Sequence, residues 1–124
     1  MLWLRSTQGG HCWLEKRAQQ AVWPGLWSLP QFDTPDLALA FAAQFGPVVG
    51  HQALASIRHA FTHFELTIQP LLVDVQAQPL AAEAQGRWLA LEQAVQLGLP
   101  APVRKLLLQS VPAADAPPVN LLLR

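Results

Sequence analysis

Hydrophobic and polar positions along this chain change period several times, and each change marks a new element. Met1 to Ser6 is dominated by bulky apolar residues and predicts a strand, with Gln8-Gly9-Gly10 as the turn after it. His11 to Arg17 sets Cys12 and Leu14 against Trp13 and Glu15, an alternation that completes a first hairpin. Val22-Trp23-Pro24-Gly25-Leu26-Trp27 reads as a Pro-Gly loop between tryptophans. A short strand follows over Leu26 to Phe32, its end confined by Pro30 to an edge or a bend. Asp33-Thr34-Pro35 is a helix start, with Asp or Thr as the cap and Pro35 at the first helical position. Leu37, Phe41 and Phe45 recur at a four-residue spacing and predict one core-facing helical stripe, stopped by Gly46-Pro47.

From Ala53 to Val75 the period drops to two. Phe64, Leu66 and Ile68 face one way and Glu65, Thr67 and Gln69 the other, which predicts the longest strand region in the chain. Within it, Arg58 to Leu66 alternates like a half-buried strand but places Phe61, Thr62 and His63 side by side. Phe61 and Phe64 suit packing, whereas Thr62 and His63 bring hydrogen-bonding groups that a core strand does not need. If the chain turns there, those two side chains sit at a hairpin tip, free to read a polar ligand.

Ala77 to Gly86 predicts a loop, Arg87 to Leu91 a last strand, and Glu92 to Leu97 a helical turn before Gly98. Pro100-Ala101-Pro102 begins a final helix that buries Val103, Leu106 and Leu107 and leaves Arg104 and Lys105 on its wet side. Pro112 to Pro118 holds three prolines and three alanines and reads as a loose tail, so residues 1–111 form one domain and 112–124 a Pro/Ala-rich extension. Strands, a helix, more strands and a terminal helix make an α+β fold.

Composition narrows the function classes. With 124 residues, 52% hydrophobic and 13% charged, the chain suits a single globular domain that needs neither disulfides nor metal for its core. Eight basic and eight acidic residues give zero formal net charge, an awkward balance for a free-standing nucleic-acid binder, since phosphate neutralisation supplies most nonspecific affinity. Cys12 is the single cysteine, which rules out an internal disulfide framework or a four-cysteine cluster within this sequence. The start lacks a signal-peptide layout and no apolar run approaches the ~18–20 residues of a membrane span, so a cytoplasmic protein is expected.

Four stretches in series resemble one family. Trp13-Leu14-Glu15-Lys16-Arg17, Trp23-Pro24-Gly25-Leu26-Trp27-Ser28-Leu29-Pro30-Gln31-Phe32, His59-Ala60-Phe61-Thr62-His63-Phe64, and Gly98-Leu99-Pro100-Ala101-Pro102-Val103-Arg104-Lys105-Leu106-Leu107 are similar to the C-terminal domain of MutY-type adenine DNA glycosylases. The resemblance covers roughly residues 2 to 109. It implies a Nudix-like mixed β-sheet flanked by two helices. It also implies a noncatalytic role in base excision repair, helping to recognise 8-oxoguanine opposite adenine while a separate catalytic domain excises the adenine. The implied partners are double-stranded DNA carrying that mispair and the catalytic domain of the same polypeptide, in a cytoplasmic, nucleoid-associated protein. No cofactor is implied here, an iron–sulfur cluster being expected only in the catalytic half. The implied contact residues are Phe61, Thr62 and His63, with Trp23, Pro24 and Gly25 as further loop contacts. Thr62 stands where the family usually has serine, keeping the hydroxyl but stiffening χ1. Pro24 replaces a common glycine and removes an N–H, and Ala18 replaces a proline.

The chemistry fits that ligand. Guanine offers N7 and O6 acceptors in the major groove; oxidation at C8 makes N7 an N–H donor and adds an O8 acceptor. A hydroxyl accepts from N7–H or donates to oxygen. It also donates to undamaged N7, so Thr62 alone discriminates poorly and needs His63 or a backbone carbonyl beside it. Phe61 would anchor the loop or wedge against the base stack.

Other chemistries lack parts. A Nudix pyrophosphatase acting on free nucleotides, the alternative enzyme, needs Arg-Glu and Glu-Glu pairs whose carboxylates hold magnesium, and Pro35 to Phe45 offers Asp36 alone. A third alternative is a domain that docks only to its catalytic half. His59 and His63 would lie ~13 Å apart in an extended strand, too far to share zinc. Ser28 lacks a nucleophile-elbow setting. Trp3, Trp13, Trp27 and Trp88 read as core residues, Trp23 as the exception in its loop, and Arg104 and Lys105 as a solvated face complementing the helix dipole.

Overall fold

A computed structural model describes residues 1–7, 10–16, 26–77 and 86–109. Among these residues eight strands and three helices follow the order β1 (Leu2–Ser6), β2 (Cys12–Lys16), β3 (Trp27–Ser28), α1 (Pro35–Ala43), β4 (Val48–Ala53), β5 (Ile57–Ala60), β6 (Glu65–Ile68), β7 (Leu71–Val75), β8 (Gly86–Leu89), α2 (Leu91–Ala94) and α3 (Ala101–Leu107). Six strands build a mixed sheet in the order β3-β2-β1-β7-β4, with β8 also paired to β2. Cys12 is opposite Arg5 of β1 and Leu89 of β8, and Glu15 is opposite Ser28 of β3 and Gly86 of β8. One edge of β2 therefore meets β1 and β3 end to end, while β8 takes the other. The β1–β7 pair is parallel, running from Leu2 opposite Leu71 to Ser6 opposite Val75.

Both faces of this sheet are covered, as parallel pairing at its centre demands. Leu2, Leu4, Val73 and Val75 point into one core with Ala38 and Ala42 of α1. Trp3 and Leu72, the alternate positions, point into a second core with Ala94 of α2 and Val103, Leu106 and Leu107 of α3. Val103, Leu106 and Leu107 are fully buried, each contributing about 1.5–3 kcal/mol. Arg5 and Asp74, paired across β1 and β7, join Nε to Oδ1 at 2.7 Å and Nη2 to Oδ2 at 2.9 Å. Trp3, Trp13 and Trp88 are buried and Trp27 half-buried. Trp13, Phe45 and Trp88 pack against one another, with ring centroids 4.9 Å (Trp13–Phe45), 5.7 Å (Trp13–Trp88) and 5.4 Å (Phe45–Trp88) apart.

Local chemistry explains the starts and stops. Thr34 is the α1 cap: its Oγ1 accepts from the Leu37 N–H at 3.2 Å, with Pro35 at the first helical position. Gly46 follows with φ +154°, where a side chain would overlap the Gln76 carbonyl.

Several expectations change. Leu37 is 52% exposed; the buried face of α1 is Ala38 and Ala42, flanked by half-buried Phe41 and Phe45. Small residues win there because they let the helix approach the sheet closely. The period-two region is not one long strand but β5, β6 and β7, with breaks at the hairpin tip and at Gln69-Pro70. Strand structure after the Pro-Gly loop is limited to Trp27–Ser28. The helical turn expected before Gly98 is present as α2, starting one residue earlier at Leu91. Arg104 is half-buried rather than on a wet face: its guanidinium donates to the Val95 carbonyl, and through Nη2 to the Leu97 carbonyl at 3.1 Å. It thus satisfies carbonyls left over at the end of α2, while Lys105 is exposed as expected. The 112–124 tail lies outside the described residues.

Candidate nucleic-acid interface

β5 and β6 form a two-stranded antiparallel sheet of their own, with Ile57 opposite Ile68, Arg58 opposite Thr67, His59 opposite Leu66 and Ala60 opposite Glu65. Alternation puts Ile57, His59, Leu66 and Ile68 on one face and Arg58, Ala60, Glu65 and Thr67 on the other. The same alternation carries Phe61 and Phe64 onto the first face.

The chain does turn between them. The Phe61 N–H donates to the Phe64 carbonyl at 2.7 Å and closes the hairpin, leaving Thr62 and His63 exposed at its tip. This segment contains no Gly, Asn, Asp or Pro, so the usual turn residues do not shape it. Ring packing holds its end instead. Phe61 and Phe64 stack at 4.4 Å with 19° between planes, and His59 meets Phe61 edge-on at 4.7 Å. Such pairs add about 0.5–1.5 kcal/mol beyond area burial. Phe61 is half-buried, but Phe64, expected to pack, is 52% exposed.

At the other end Gln69 ties the two legs together. Its Nε2 donates to the Leu54 carbonyl at 2.7 Å, and its Oε1 accepts from Ser56 Oγ at 2.7 Å. The Leu54 N–H donates to the Pro70 carbonyl at 3.1 Å. Sequence reasoning placed Gln69 on the polar side of a strand and missed this clamp; its one signal was a long amide beside a strand-breaking proline. Along its flank β6 borders a cavity of about 630 Å3, lined in part by Phe32, Asp33, Thr34, Leu66, Thr67 and Gln69.

The tip therefore presents a hydroxyl able to donate and accept, an imidazole with two ring nitrogens, and an exposed ring beside them. Arg58, on the exposed outer face, adds a cation to the same hairpin. Chemically the tip can donate hydrogen bonds to, and accept them from, a polar ligand.

Of the residues singled out by sequence, Phe61, Thr62 and His63 come together, and Trp23, Pro24 and Gly25 lie outside the described residues. The chain reverses between His59 and His63, so extended-strand spacing does not describe them. Among the described residues no group of three or more His, Cys, Asp or Glu is gathered to hold a metal ion, and no helix is long and apolar enough to cross a membrane. Cys12 is buried at 2% exposure, and desolvation pushes its thiol from an ordinary 9.0 up to about 11.

A mixed sheet held between one helix and two others, with a separate two-stranded hairpin, defines the class of protein. A family model described as NUDIX domain matches residues 1–109, and the chain belongs to that family. Magnesium on a diphosphate is held through one or two carboxylates together with the phosphates, and α1 offers one acidic residue, Asp36. Two adenine DNA glycosylases of Buchnera aphidicola are similar in sequence. That of the Schizaphis graminum subspecies is 30% identical over 99 residues, covering 77% of this chain and 28% of that protein. That of the Acyrthosiphon pisum strain is 29% identical over 98 residues, with the same coverage of 77% and 28%. The chain thus spans 28% of the length of these relatives. In structure it is similar to the C-terminal domain of mouse MUTYH, solved in complex with human PCNA, with TM-score 0.63, 22% identity, and coverage of 84% of this chain and 79% of that one. The NUDIX domain of Shewanella oneidensis NrtR, solved with ADP ribose, superposes with TM-score 0.57 at 14% identity, covering 86% and 83%.

Proposed function

We propose that this chain is the noncatalytic C-terminal domain of an adenine DNA glycosylase and that its β5–β6 hairpin helps recognise 8-oxoguanine opposite adenine in double-stranded DNA. The observation that carries this reading is the hairpin tip, where Thr62 and His63 stand exposed and adjacent beyond a closing Phe61–Phe64 pair. The similarity to adenine DNA glycosylases supports it. Thr62 meets N7–H or O8 of the lesion, and His63 contributes a second polar group, so their combination favours the oxidised base more than either does alone. With zero formal net charge, the domain leaves most of the DNA affinity to the catalytic half of the same polypeptide.

The test uses the full-length polypeptide and duplexes bearing 8-oxoguanine or guanine opposite adenine. Thr62→Ala with His63→Ala removes two hydrogen bonds of about 0.5–1.5 kcal/mol each and is expected to reduce the preference for the lesion by about 5- to 150-fold. An unchanged preference would refute the assignment of the site.

A further inference from the structure

We infer that Phe64 is the group that stacks on an exposed base of the bound duplex, with Phe61 as its prop; the inference rests on the hairpin being the DNA-contacting loop. Three observations carry it. First, the apolar face of the hairpin emerges steadily from the protein: Ile68 is 4% exposed, Ile57, His59, Leu66 and Phe61 are half-buried, and Phe64 at the end is 52% exposed. Second, Phe64 is pre-positioned. Its ring lies on Phe61 at 4.4 Å and 19°, and Phe61 is in turn braced edge-on by His59 at 4.7 Å. Little rotamer freedom is left to lose on contact, so the cost of ordering is already met within the free protein. Third, the exposed ring adjoins Thr62 and His63, the polar groups at the tip.

From sequence, Phe61 would anchor the loop or wedge against the base stack; its place between His59 and Phe64 suits the anchor, and the stacking falls to Phe64. The two functions then fall on different side chains. Stacking tolerates any base, since every base has a π-face, so Phe64 supplies affinity without regard to oxidation. Thr62 and His63 read the polar edge and supply discrimination.

The experiment places 2-aminopurine beside the 8-oxoguanine or guanine of the two duplexes and titrates the full-length polypeptide carrying this chain. Phe64→Leu, at an exposed position, is checked for fold by circular dichroism and thermal unfolding. It is expected to weaken binding to both duplexes by a similar factor of roughly ten (about 5- to 100-fold for one stacked base) and to abolish the fluorescence change on binding, leaving the lesion preference intact. Phe64→Trp is expected to retain both signals. A wild type that prefers the lesion, with Phe64→Leu binding equally well and giving the same fluorescence, overturns this inference alone. A Phe64→Leu variant that loses preference rather than affinity also overturns it. Wild type binding both duplexes equally, with neither Phe64→Leu nor Thr62→Ala/His63→Ala altering binding, removes the underlying reading and this one with it.

Discussion

Gln69 is the residue whose loss should separate the hairpin's position from the stability of the domain. Its amide donates to the Leu54 carbonyl and accepts from Ser56 Oγ, both at 2.7 Å, bridging the chain entering β5 and the chain leaving β6. Both bonds are solvent-exposed, so each belongs at the lower end of the net range, near 0.5 kcal/mol. Gln69→Ala then loosens the hairpin base by about 1 kcal/mol, equivalent to about five-fold more frequent opening. The six-stranded sheet has its own ladder and cores, so the global transition should move by no more than a few degrees. Native-state hydrogen exchange is the assay, because local and global opening register at different amides. Amides of β5 and β6 should exchange about five times faster, while those of β1 and β7 stay at the wild-type rate. Gln69→Glu, which keeps the acceptor for Ser56 but sets a carboxylate against the Leu54 carbonyl, should loosen the hairpin at least as much. Uniform acceleration across β1, β6 and β7 would refute the local clamp, as would no acceleration anywhere.

Arg104→Ala strands the Val95 and Leu97 carbonyls; the loss of charge-assisted bonds should cost about 2 kcal/mol, read as a fall of roughly 6–12 °C in Tm. Asp74→Asn leaves Arg5 without its bidentate carboxylate at a nearly closed site and should cost about 3–5 kcal/mol in urea denaturation, whereas Arg5→Met combined with Asp74→Leu should restore most of that. Cys12 should resist a thiol reagent in the folded protein at pH 8 and react at once in denaturant, its thiol being buried with a pKa of about 11. Because that folded value lies above the ordinary 9.0, the fold favours the protonated thiol. The thiol's contribution is complete below about pH 9 and is lost as pH rises towards 11, by up to about 3 kcal/mol, and Cys12→Ala should flatten that part of the pH–stability curve.

Where a feature depended on local chemistry, the residues announced it. Thr34-Pro35 starts α1 because a hydroxyl cap and a fixed φ act within one turn. Val103, Leu106 and Leu107 are buried because their spacing alone defines a face. The α1 stripe held for Phe41 and Phe45, which pack against the core, and missed at Leu37 for a tertiary reason: the fully buried face is Ala38 and Ala42, one residue or about 100° further round. Alternation from Ala53 to Val75 left the hairpin conditional because Phe61 to Phe64 contains none of the residues that usually mark a turn. Thr62 and His63 stood out as polar neighbours, yet their place at a tip needed the Phe61–Phe64 closure, which is a cross-strand contact. Arg104 and Gln69 were legible only as polar residues; their work depends on carbonyls from another element or another leg of the chain.

A single-site fluorine label reads the contact between the hairpin tip and the lesion. 4-Fluorophenylalanine at Phe64 or Phe61 reports on the tip, and the same label at Phe45, packed between Trp13 and Trp88 against the sheet, serves as the internal control. On adding a duplex with 8-oxoguanine opposite adenine to the full-length polypeptide, the tip resonances should shift and broaden while that of Phe45 stays in place. The guanine-containing duplex should give a smaller change at the same concentration. Shifts at Phe45 without shifts at Phe61 and Phe64, or identical tip spectra with the two duplexes at the same subsaturating concentration, would refute contact between the tip and the lesion.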